Sequence, residues 1–175
     1  MVAIPAFVWR GGFVFRALIT GIGAGAFLGA LAWIDSGQWL AGLVVFVILA
    51  LACGTWVPLR MARYWPAGAE LDGAGRVAVV RAARIGQRIG EPRFRVGAQD
   101  YAAGMRAAAE NSRMWRPLIV FVLAVAVVVA VWDTLAGTWG NAVASAVYLV
   151  LLVLEVFWWP RRQAQLLANA DRACG

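Results

Sequence analysis

The stretch Arg116–Arg162, RPLIVFVLAVAVVVAVWDTLAGTWGNAVASAVYLVLLVLEVFWWPRR, decides how the whole chain is read. It holds two apolar runs, Pro117–Leu135 and Ala142–Trp159. Each approaches the ~20 residues that cross a hydrocarbon core of roughly 30 Å. The turn between them contains no arginine, whereas Arg116 precedes the first run and Arg161 and Arg162 follow the second. Cationic residues in short loops are retained on the cytoplasmic side. The stretch therefore predicts two spans that leave the cytoplasm and return to it.

The N-terminal part repeats this arrangement. Ala17–Ile34 and Leu40–Val57 are apolar runs joined by Asp35–Gln38, again without arginine. All 16 basic residues are arginines: two precede the first pair of runs, eleven lie in the connector Arg60–Arg116, and three follow the second pair. The predicted fold is an all-α integral membrane protein with four transmembrane helices. They form two like-oriented hairpins joined by a cytoplasmic helical pair, with both termini cytoplasmic. Residues 1–60 hold the first hairpin, 61–116 a basic cytoplasmic loop, 117–160 the second hairpin and 161–175 a cytoplasmic tail.

Composition agrees. The chain is 63% hydrophobic with mean hydropathy +0.75, too apolar for a soluble surface. Its net charge of +7 invites a nucleic-acid reading, but orientation already accounts for the arginines and no nucleic-acid motif accompanies them. Lysine and histidine are absent. That bias fits GC-rich codons and points to the plasma (inner) membrane of a bacterium. Ala30-Leu31-Ala32 resembles a signal-peptidase site, but the run before it is long enough to span and a second run follows directly. Cys53 and Cys174 are too few for a disulfide framework and read as free thiols.

The ten tryptophans fall at the predicted span ends. Trp9, Trp56, Trp65, Trp115, Trp158 and Trp159 mark the inner interface, and Trp33, Trp39, Trp132 and Trp139 the outer one. Indole prefers the headgroup level, so the pattern reads as membrane anchoring rather than an aromatic ligand box. The two halves also share an order of landmarks. Trp9-Arg10, Trp33 and Asp35, Gly37 and Trp39, and Pro58 with Arg60 correspond to Trp115-Arg116, Trp132-Asp133, Gly137 and Trp139, and Pro160-Arg161. Duplication would make this a parallel repeat. Two like-oriented hairpins under the same constraints would converge on the same landmarks.

Within the first span, Gly21, Gly25 and Gly29 recur every four residues, a spacing that lets helix backbones approach closely. This is a candidate helix-packing seam, against another span of the chain or against a second copy. GIGAG here is no nucleotide loop, since no strand precedes it and no lysine follows. In the connector, Arg76–Ile89 reads as a helix with Ala78, Ala82, Ile85 and Ile89 on one face and Arg81, Arg84 and Arg88 beside it. Those three arginines are candidates for lipid or partner contact. A second helix is expected to start near Asp100 and to place Tyr101, Met105, Ala108, Ser112 and Trp115 together. The pair is too small and alanine-rich to be a catalytic domain.

Chemistry-bearing constellations are scarce. Without histidine, Ser-His-Asp, Cys-His and His-based metal sites are excluded. Glu70 and Asp72 read as a solvated turn, and Asp35 and Asp133 as outer-turn residues that cap helices or hydrate the turns. No catalytic residue, metal or cofactor is expected. Glu155 lies inside the last predicted span, where an acid is costly and draws a partner; an ion pair with Arg16 is the expectation. The favoured function is an accessory or scaffold subunit, contacting anionic headgroups and a partner protein or a second copy, without nucleic acid. The alternative is a small oligomeric transporter or channel.

Overall fold

The computed structural model describes residues 4–174, an all-helical arrangement without strands among the described residues. After a 3₁₀ turn at Ala6–Arg10, the helices are α1 (Phe13–Ser36), α2 (Trp39–Tyr64), α3 (Gly73–Ile85), α4 (Pro92–Arg113), α5 (Arg116–Ala136), α6 (Trp139–Val153) and α7 (Trp159–Cys174). A π segment, Leu154–Trp158, joins α6 to α7. Four helices are long and apolar enough to cross a membrane: α1, α2, α5 and the continuous rod Trp139–Cys174.

The helices overrun the apolar runs. Asp35 and Ser36 belong to α1, which stops where Gly37 takes φ +68° and donates its N–H to the Trp33 carbonyl at 2.8 Å. Only glycine adopts that conformation cheaply. α2 has 26 residues, about 39 Å at 1.5 Å per residue, so its last turns extend beyond a ~30 Å apolar layer. Residues 161–174, read as a tail, continue the rod as α7, and its Leu166, Ala170 and Ala173 are buried.

The connector helices differ from expectation in both ends and faces. Asp72, read as a turn residue, is the N-cap of α3: its carboxylate accepts from Gly75 N at 2.8 Å. Gly86, at φ +73°, ends α3 at Ile85. The buried residues are Gly75, Val79, Val80 and Ala83, whereas Ala78 and Ile85 are exposed. α4 begins at Pro92, not Asp100, because proline suits the first helical turn, where no N–H is needed. Asp100 instead accepts from Ala67 N at 3.0 Å, anchoring the 3₁₀ turn Pro66–Ala69 from mid-helix.

The chain's main core lies outside the apolar runs. Val8 and Trp9, Met61 at the end of α2, Trp65 just after it, and α3, α4 and α7 share one buried cluster. α3 and α4 are therefore part of a three-helix module with α7. At its centre Trp65 packs edge-on to Trp9 and Tyr101, with centroids 5.0 and 4.9 Å apart. This corrects the interface reading for two of the tryptophans: Trp9 and Trp65 are buried. Both lie where the chain folds back under the helices, and burying an indole there supplies the core that alanine cannot. Trp33, Trp39, Trp56, Trp115, Trp132, Trp139 and Trp158 are exposed.

Candidate functional site

The two helix pairs pack by different means. α1 and α2 lie antiparallel with Gly21, Gly25 and Gly29 facing α2. A Cβ on these would fall 2.5 Å from the Ala50 carbonyl, 2.7 Å from that of Phe46 and 2.7 Å from that of Gly42. The seam is thus internal to the chain, and Gly42 and Gly54 complete it from α2. α5 and α6 share no such seam: Gly137 follows the end of α5, and Gly140, in the first turn of α6, faces α1 instead, where an added Cβ would collide with the Ile34 carbonyl. None of α5 is buried, and of α6 only Ala144 is.

At the turn ends the pairs are tied by polar side chains. The Asn141 amide donates to the Asp35 carbonyl and carboxylate, both at 3.0 Å, joining α6 to α1. Ser145 donates to the Asp133 carboxylate, joining α6 to α5. Both aspartates lie in the C-terminal turns of their helices, so they cap no N-terminus; they cross-link neighbouring helices.

Farther along, the surface between α5 and α6 is hollowed. A cleft of about 620 Å³ opens between Val122, Val125, Ala126 and Val129 on one side and Tyr148 and Leu152 on the other. It ends at Glu155. The same residue lines a second cavity, of about 380 Å³, with Ser112, Arg116, Trp159, Arg161 and Gln163. Pro160 explains the geometry. It has no N–H for the Val156 carbonyl four residues earlier, and a proline inside a helix displaces the preceding turn. The helix widens into the π segment, where Trp159 N bonds the Leu154 carbonyl. The two cavities meet at Glu155; the cleft is lined almost wholly by apolar side chains, whereas the second mixes apolar side chains with two arginines, a serine and a glutamine.

Arg16 and Glu155, expected as an ion pair, are not brought together. Arg16 donates to the carbonyls of Gly11 at 3.1 Å and Trp9 at 3.4 Å, and stacks over the Trp9 ring at 5.1 Å. The N-terminal turn folds back on α1 and offers these acceptors locally, while Glu155 faces the α5 side. Ion pairs among the described residues are Arg93–Glu91 and Arg106–Asp171. The arginine face of α3 is also divided. Arg81 and Arg88 are exposed, but Arg84 is half-buried, donates to the Ile4 carbonyl and lies beside the Tyr101 phenol. No group of three metal-ligating side chains occurs among the described residues.

Burial pushes the Tyr101 phenol above its ordinary value of 10.0, against the opposing pull of Arg84. The folded chain favours the neutral phenol more than the unfolded chain does. That contribution to stability is complete below the ordinary value and is lost as pH rises through the folded one. With no lysine in the chain, few other groups titrate in that window. Tyr101→Phe is expected to flatten the decline in thermal midpoint above about pH 10; an unaltered alkaline profile would count against this role.

The cavity holding Arg116 and Arg161 leaves little mark in the sequence: both arginines read there as topology signals, and the one local clue is Pro160, five residues after Glu155. No protein family, curated protein or solved structure matches this chain.

Proposed function

We propose that this chain is a multi-pass protein of a bacterial inner membrane, with two like-oriented hairpins and both termini cytoplasmic, acting as an accessory or scaffold subunit. The shared core supports the topology. The N-terminal turn, the connector helices and α7 bury one another, so they belong on one side of the bilayer, and the retention of arginine makes that side cytoplasmic. Single cysteines at Ser36 and at Gln165, in a chain with Cys53 and Cys174 replaced by Ala, test it. An impermeant maleimide on spheroplasts is expected to label the first and not the second; the reverse pattern overturns the orientation.

The observation that carries the scaffold reading is the unequal packing. The glycine seam seals α1 against α2, while α5 buries none of its residues and offers apolar surface along its length. Helix association in lipid runs on packing rather than hydrophobic drive, so such a helix has contacts to give. Its basic module adds headgroup or partner contacts through Arg81 and Arg88. Purification in mild detergent is expected to yield a particle with a stoichiometric second polypeptide; a lone monomer overturns the reading. A small oligomeric transporter or channel is the second reading, favoured by Glu155 where the two cavities meet. It predicts liposome flux that Glu155→Gln abolishes.

A further inference from the structure

We propose that the groove at the junction of α5, the π segment and α7 binds one anionic membrane lipid. Its phosphodiester lies between Arg116 and Arg161, and an acyl chain follows the cleft between α5 and α6. The inference rests on membrane insertion as read above, and is independent of the scaffold role.

Shape comes first. Glu155 lines both the cavity that holds the two arginines and the apolar cleft, so the two adjoin and together form an amphipathic groove. Each part falls within the ~300–1,000 Å³ of small-molecule sites. The polarity runs in the direction that an inserted lipid requires. Arg116 opens α5 and Arg161 lies past the π segment, both at the cytoplasmic ends of the spans, while Val125, Ala126 and Val129 lie deeper.

Charge comes second. Neither Arg116 nor Arg161 forms an ion pair among the described residues. Guanidinium matches phosphate oxygens in fork geometry and is less hydrated than ammonium, so arginine suits this contact at an interface. Glu155 is the opposing charge in the cavity. It precedes Arg161 by six residues, roughly 9 Å along a helix, and sits on the deeper side. The ammonium of a zwitterionic headgroup extends outward from the phosphate, so Glu155 is not placed to meet it. The mouth thus favours a headgroup with one uncompensated negative charge.

The occupant follows from exclusion of the others. A soluble phosphate would fill the mouth and leave the cleft empty. A partner helix, ~10 Å across, would lie along the face of the pair and bring no phosphate to the arginines of the adjoining cavity. An acyl chain is thin enough to enter where the glycine seam of α1 and α2 has no counterpart.

Delipidated protein in mild detergent, titrated with phosphatidylglycerol or phosphatidylcholine and read by native mass spectrometry, tests the site. The wild-type chain is expected to retain one phosphatidylglycerol about tenfold more tightly than phosphatidylcholine. Arg116→Gln with Arg161→Gln should abolish the preference. Ala126→Phe should weaken both lipids by obstructing the cleft. Arg81→Gln with Arg88→Gln removes equal charge elsewhere and should leave the preference intact. Equal retention of both lipids by the wild-type chain overturns the proposal, as does a preference that survives the groove variant or falls equally in the control. The wild-type arm stands even if a variant fails to fold. Cysteine labelling that reverses the topology sinks the membrane reading; normal labelling without lipid preference sinks the site alone.

Discussion

Truncating Trp65 to alanine is expected to destabilise the chain by about 3–5 kcal/mol. Trp65 is only 2% exposed, and its Nε1 donates to the Gly97 carbonyl at 2.8 Å. Its ring joins the end of α2 to Trp9 of the N-terminal turn and to Tyr101 of α4. Alanine would leave a cavity between three elements and remove the indole's hydrogen bond to Gly97, whose carbonyl keeps its intrahelical partner. The informative comparison is Trp139→Ala. Trp139 is 83% exposed and fills no core, so its loss in detergent is expected within about 0.5 kcal/mol, as for a surface change. Unfolding of both variants in the same detergent separates core from anchor. Equal costs would return Trp65 to the interface.

That contrast shows where the sequence was legible. Length and hydropathy identify the four long helices because a helix able to cross a bilayer is constrained in composition residue by residue. Tryptophan position is a weaker signal. Trp65 lies at a span end in sequence, as Trp56 does, but the chain turns at Pro66 and folds the connector over it. The rings of Trp9, Trp65 and Tyr101 come from segments as far apart as 92 positions, and no local pattern records such a meeting. Asp72 and Asp100 show the same limit at shorter range. Either aspartate suits an N-cap; Pro92 had already begun α4, which freed Asp100 to bind Ala67. The groove was illegible for a related reason. Arg116, Glu155 and Arg161 each had an adequate local explanation, and only the widening before Pro160 sets them around one cavity. The likeness of the two halves is likewise confined to landmarks at the helix ends. It does not extend to the packing between them, which is sealed in one pair and open in the other.

Gly25→Leu is expected to cost about 3 kcal/mol, at the upper end of overpacking effects, and to do so through backbone displacement. An added Cβ at Gly25 meets the Phe46 carbonyl at 2.7 Å and the Ala50 Cβ at 3.1 Å. The first is backbone and cannot swing aside, so α1 and α2 must separate. Separation then loosens Gly21 against Gly54 and Gly29 against Gly42, since the seam is a single antiparallel contact. Gly23→Leu, on the same helix two residues earlier, meets nothing within 4 Å. It adds equal apolar bulk and removes an equally poor helix former, so it is expected to be neutral or to stabilise by up to about 1 kcal/mol. Thermal unfolding of the two variants in detergent distinguishes a seam from a general dislike of leucine in α1. A similar penalty at both positions would mean that glycine serves α1 by flexibility instead of close approach. If only Gly25→Leu is costly, the first helix pair is closed by its backbones, and the difference from α5 and α6 is a difference in glycine placement. Opening the seam should then create, between α1 and α2, an apolar slot of the kind already present beside Glu155.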